Sequence, residues 1–240
     1  MSKHSTWFDA VLSGLTLVVM LMSFYAIFIY APVEKTMGAV QKIFYLHLPL
    51  AMLSFVAFFI VFVTSIIYLY ARTSRWDMWA YCAAEVGVIF CTLVLITGSI
   101  WARPIWNVWW TWDPRLTTLL ILWCMYVAYL LLRKLLPDSS NTSNIAAVFG
   151  IISFINVPLT FFAIRMWRWR TIHPVVIDSK GAHISSPMLY TLLISFAAMT
   201  LFFVLLFRLR IRVERSQHLC HELQFLAEKH RMTSQKETPR

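Results

Sequence analysis

Apolar residues do not alternate with polar ones along most of this chain. They run on in six long stretches, at about residues 10–30, 48–71, 80–100, 116–132, 144–164 and 187–207. A helix of roughly 17 to 25 residues crosses a hydrocarbon core about 30 Å thick. Inside lipid every backbone N–H and C=O must be bonded within the segment itself, which leaves the helix as the natural form for each run. The pattern therefore predicts an all-α, polytopic membrane protein. Six transmembrane helices form one domain over residues 1–207, and a polar tail follows over residues 208–240.

Composition sharpens this picture. Of 240 residues 60% are hydrophobic and only 13% charged, with a mean hydropathy of +0.68, which sets soluble folds aside. The first run follows Lys3 as a signal peptide would. It is longer than a secretory apolar core, however, and no small-x-small cleavage site follows it, so it is expected to remain as a span. Cys82, Cys91, Cys124 and Cys220 form no CxxC pair, and the three inside predicted spans read as small buried hydrophobes. In the tail, His218, Cys220 and His221 match no standard zinc spacing and read as part of a solvated amphipathic helix, while residues 231–240 read as disordered.

Six spans place both termini on one side. Near the membrane that side carries nine basic residues: Lys3, Arg72, Arg75, Arg133, Lys134, Arg208, Arg210, Arg212 and Arg215. The other side carries eight: Lys35, Lys42, Arg103, Arg115, Arg165, Arg168, Arg170 and Lys180. Basic juxtamembrane residues mark the cytoplasmic side, and the run from Arg208 to Arg215 abuts its span as such an anchor does, so both termini are assigned to the cytoplasm. The opposite side then balances eight positive charges with Glu34, Asp113 and Asp178 alone, which suits contact with something anionic, whether a lipid headgroup phosphate or a bound ligand. Nothing implies a nucleic-acid partner.

On that outer side the connection between the third and fourth spans reads TGSIWARPIWNVWWTWDPRLTT, residues 97–118. Asp113 followed by Pro114 predicts the N-cap and first residue of the fourth span. Tryptophan collects at membrane interfaces for its own reasons, but Trp101, Trp106, Trp109, Trp110 and Trp112 make more flat apolar surface than anchoring needs. If the segment is an interfacial helix, Trp106, Trp109, Trp110 and Asp113 share one face. Two other outer segments carry imidazoles: His47, two residues before Pro49 at the mouth of the second span, and His173, directly before Pro174. Either alone reads as a solvated side chain. Together with an aromatic shelf and several arginines they answer the three surfaces of heme: a flat macrocycle, two propionates and an iron that accepts imidazole. Arg165, Arg168 and Arg170, with Arg103 and Lys42, are candidates for the carboxylates.

The stretch W-x-x-x-x-W-x-x-W-W-x-W-D-x-R-L-T, covering Trp101 to Thr117, resembles the tryptophan-rich "WWD" signature of heme-handling membrane proteins. With six spans, the His-x-Pro after MGAVQKIFY and the His-Pro of the last outer loop, the chain is similar over roughly residues 10–207 to the heme exporter protein C family of cytochrome c maturation system I. The resemblance implies a carrier of heme b, not a catalyst. It implies a site at the periplasmic face with His47 and His173 as axial ligands, the signature tryptophans and Asp113 beside the ring, and Arg115 among the outer cations. It also implies partners: an ABC transporter ATPase with its membrane subunits, a small single-span accessory subunit, and a membrane-anchored periplasmic heme chaperone. The setting implied is membrane lipid, in the bacterial inner membrane or the mitochondrial one. Ala102 and Asn107 stand where glycines are common in the family, and Pro114 where Ala is frequent.

Other readings fit less well. A b-type cytochrome subunit of a quinone-linked complex clamps heme between helices with histidines at membrane depth, and here no predicted span contains a His away from its end. A cytochrome c heme lyase component shares the tryptophan signature but is longer, with further spans and a second His pair. A small-solute permease is expected to show repeats, and none is evident. Glu85, near the start of the third span, is expected to meet headgroup water or an arginine.

Overall fold

The computed structural model describes residues 3–137, 139–167, 177–178, 181–182 and 184–237. Seven helices account for most of them: α1 (Lys3–Tyr25), α2 (Phe44–Ala71), α3 (Ser74–Trp106), α4 (Pro114–Leu135), α5 (Ser140–Phe154), α6 (Asn156–Met166) and α7 (Ser186–Glu237). A π-helical turn, Ala26–Tyr30, closes α1, and a 3-10 turn, Ala39–Ile43, leads into α2. Two-residue strands, β1 (Ile177–Asp178) and β2 (Gly181–Ala182), pair antiparallel.

Among the described residues six helical segments are long and apolar enough to cross a membrane, with α5 and α6 forming one of them, so the polytopic all-α reading holds. The break between those two falls at Ile155, whose N–H bonds back to Ile152 at 3.1 Å. Pro158 accounts for it: a proline has no N–H to give, and its ring clashes with the carbonyl four residues earlier, here Phe154.

Helix α2 packs against α3, α5 and α7, while Val56 and Phe59 remain exposed on the outer surface of the bundle. Phe58, Val61, Phe90, Leu122, Tyr126 and Tyr129 are fully buried where α2, α3 and α4 meet. The rings of Phe58 and Tyr126 stack at 3.8 Å, inclined by 9°. Gly87 allows this approach. A Cβ there would lie 2.7 Å from Phe58 Cε1.

Charged side chains gather at the end of the bundle that carries both termini. Asp9 on α1 pairs with Arg208 and Arg212 of α7. Asp77 takes both amino groups of Arg133, at 2.5 and 2.7 Å, and a third hydrogen bond from Ser143 Oγ at 2.9 Å. Glu85 meets an arginine, as expected: Arg210, which also reaches Glu214. Carboxylates this close to lipid are tolerated because each is paired and hydrogen-bonded.

Three expectations change. Helix α3 reaches Trp106, six residues past the apolar run, so Trp101 and Arg103 belong to the helix and not to a loop. Helix α7 passes position 207 without interruption and continues through 231–237, the stretch expected to be disordered. Its Met, Gln, Lys and Glu residues are adequate helix formers, and extending a nucleated helix is far easier than starting one. Cys82 and Cys91 are buried, but Cys124 lies on the outer surface of the bundle, where an apolar thiol can face lipid.

Candidate functional site

At the end of the bundle opposite the termini, a narrow cleft opens between α2, α3, α4 and α6. One face of α2 supplies His47, Ala51 and Phe55, spaced by four. A matching stripe of α3 supplies Val94, Gly98, Trp101, Ala102 and Trp106. The connection after α3 adds Trp109 and Trp110, α4 adds Arg115 and Leu119, and α6 adds Thr160. The helical repeat brings these together: side chains three and four apart stack on one side of a helix.

His47 stands in the first turn of α2, half-buried. Its Nδ1 lies 2.9 Å from Thr97 Oγ1 on α3, and the edge of Trp101 packs against its ring at 5.9 Å and 76°. The indole Nε1 of Trp101 is buried and, among the described residues, has no hydrogen-bond partner.

The tryptophan-rich connection is not an interfacial helix. Arg103 turns back to bond the backbone oxygen of Asn107 at 2.6 Å and its side-chain oxygen at 2.5 Å, and Asn107, at φ 58, ends α3 in the left-handed region. That conformation suits glycine best and asparagine next, which explains how Asn107 can stand at a glycine position. Residues 107–113 then run irregularly to α4, so the shared helical face expected for Trp106, Trp109, Trp110 and Asp113 does not form. Trp106, Trp109 and Trp110 reach the same cleft by another route. Trp112 does not line it: it is 76% exposed and meets the ring of Trp110 edge-on at 6.0 Å.

Asp113 is 4% exposed and caps α4, accepting from the backbone N–H of Arg115 at 2.8 Å, with Pro114 at the first helical position. This is the predicted cap. It also aims Arg115 into the cleft, partly buried, and among the described residues Arg115 enters no ion pair.

The other expected cations fall elsewhere. Lys42 Nζ binds the carbonyl of Phe28 at 2.9 Å, tying the 3-10 turn to the end of α1. Arg103 is occupied with Asn107, and Arg165 is exposed in the last turn of α6. Arg168, Arg170 and His173 lie outside the described residues. Sequence reasoning missed Thr97, Gly98 and Thr160. The helical register of α3 carried a signal for the first two, since Thr97, Gly98 and Trp101 share a face.

A floor of indoles, an imidazole and a guanidinium in one cleft suits a flat ligand that bears both a metal and an acid. A family model described as heme exporter protein C matches residues 1–225. The chain belongs to the heme exporter protein C family. Among its relatives, the heme exporter protein C of Bradyrhizobium diazoefficiens is 34% identical over 198 residues, 82% of this chain and 74% of that one. The heme exporter protein C of Escherichia coli K12 is 30% identical over 70% of this chain and 67% of its own. A putative cytochrome c biosynthesis ccmC-like mitochondrial protein of Arabidopsis thaliana is 28% identical over 89% of this chain and 80% of its own.

Proposed function

We propose that this chain holds heme b at the periplasmic surface of a bacterial inner membrane and passes it to a membrane-anchored heme chaperone for cytochrome c maturation. The single observation that carries the reading is the cleft that gathers His47, four tryptophans and Arg115. His47 ligates one face of the iron and His173 the other. Trp101, Trp106, Trp109 and Trp110 lie against the macrocycle, whose apolar area they shield from water. Arg115 pairs with a propionate, and Arg168 and Arg170 serve the second one.

Both termini are cytoplasmic in this reading, because the arginine run beginning at Arg208 follows the last apolar stretch directly. The exposed Trp109 and Trp112 form the lip over which heme leaves. Transport membrane subunits with their ATPase, and a small single-span subunit, complete the apparatus. The chain itself performs no bond chemistry on the ring, and the names of its relatives, exporters and cytochrome c biosynthesis proteins, agree with carriage. The plant relatives extend the same reading to a mitochondrial inner membrane.

The experiment is a heme titration of the detergent-purified chain, followed by addition of the chaperone. Saturable uptake with a low-spin bis-imidazole spectrum, lost to the chaperone on mixing, supports the proposal. Absence of saturable uptake overturns it.

A further inference from the structure

Resting on the heme reading, we infer that Thr97 is a positioning residue that fixes the tautomer of His47, so that the imidazole turns its lone pair, on Nε2, to the iron. A threonine hydroxyl has one proton to donate. That of Thr97 points into its own helix, with Oγ1 lying 2.7 Å from the carbonyl of Leu93 and 3.3 Å from that of Val94. Toward His47 Nδ1, 2.9 Å away, the hydroxyl therefore offers a lone pair and not a proton. With the hydroxyl proton engaged on the helix carbonyls, Nδ1 carries the hydrogen, and in a neutral imidazole the lone pair then belongs to Nε2.

The neighbouring positions on α3 hold the ring in that orientation. Gly98 leaves the space it occupies: a Cβ there would stand 3.2 Å from His47 Cε1 and 3.9 Å from Nδ1, so any larger residue presses on the ring. Trp101 closes the other side edge-on. Thr97, Gly98 and Trp101 thus form one saddle, a turn of helix α3 shaped for a single orientation of one imidazole. Metal-ligating histidines commonly have their second nitrogen held in this way, and loss of the outer partner costs 10- to 100-fold in metal affinity. A hydroxyl that must itself back-bond into a helix does this job in a membrane without placing a charge beside the iron.

The test begins on the heme-free full chain in detergent, with nitrogen-15-labelled histidine and the His47 signals assigned by their loss in His47→Gln. Wild type is expected to show the Nδ1–H tautomer. Thr97→Val, of nearly equal shape but with no acceptor, is expected to show a mixture, and Thr97→Ser to restore the wild-type pattern. Heme titration of the same proteins should give a 10- to 100-fold loss for Thr97→Val and rescue by Thr97→Ser. Gly98→Ala, a better helix former than glycine, should weaken heme binding while leaving the fold intact. A wild-type Nε2–H tautomer, or Thr97→Val with unchanged tautomer and affinity, overturns the role of Thr97 and leaves the heme reading standing. Failure of the wild-type chain to take heme overturns the heme reading instead, and with it the use made of the tautomer.

Discussion

Asp113 accepts the backbone N–H of Arg115 at 2.8 Å, so the residue that ends the tryptophan-rich connection also starts α4. The cap and the cleft are therefore one device. Replacing Asp113 by Ala should lower stability by about 1 kcal/mol, the usual worth of an N-cap, whereas Ser should keep most of it. Thermal unfolding in detergent reads the difference. Heme affinity should fall in the Ala variant too, because the first turn of α4 carries Arg115.

Arg115 lines the cleft from the opposite chain segment to His47. A charge-assisted hydrogen bond to a carboxylate is worth about 2 kcal/mol, roughly 30-fold in affinity. Arg115→Ala should therefore bind heme about 30-fold more weakly than wild type. It should bind the heme dimethyl ester, which has no free carboxylates, almost as well as wild type does. An equal loss for both ligands would place Arg115 away from the propionates.

Gly87 is a packing requirement deep in the bundle. A methyl group there must displace the ring of Phe58, which is stacked on Tyr126 and fully buried. Overpacking of this kind costs about 1 to 3 kcal/mol, against about 1 kcal/mol gained from replacing glycine within a helix. Gly87→Ala should be net destabilised by roughly 1 kcal/mol. Gly87→Ala combined with Phe58→Leu should recover part of the loss in the same unfolding measurement.

Much of this architecture was written in the apolar runs, since a segment of that length and hydropathy has one form available in lipid. The cap at Asp113 was legible because Asp-Pro before an apolar run is a local signal that depends on no distant contact. The path of residues 107–113 was not. Whether α3 continues is decided by Arg103 reaching Asn107 across the last turn, and no periodicity reports that. Likewise His47 could be nominated from its place at the mouth of a span. Thr97 shares a face of α3 with Trp101, but its contact with His47 arises only when α2 and α3 pack side by side and bring residues fifty positions apart within 2.9 Å.

Glu34 offers a test of the outer surface by pH. The backbone N–H of Met37, at 2.5 Å, and that of Thr36, at 2.8 Å, both donate to its carboxylate. The Met37 bond is the largest cause holding its pKa below the ordinary value of 4.5, with desolvation, the next largest, acting the other way. A depressed folded-state pKa means that this group's support for the turn is complete above the unfolded value and is lost as pH falls through the folded one. Carbon-13 titration of the Glu34 carboxyl should give a midpoint below 4.5. Met37 amide protection, corrected for the intrinsic exchange rate, should fall together with the carboxylate.

The most direct measurement of the central claim is the visible absorption spectrum of the purified, heme-titrated chain, compared between wild type and the single variants His47→Ala and His173→Ala. Wild type should give the Soret and sharp reduced bands of iron held by two imidazoles. Each variant should lose the low-spin bands, and the double variant the Soret absorption. A wild-type spectrum retained by His47→Ala would contradict the account, because the cleft would then not be where the iron is held.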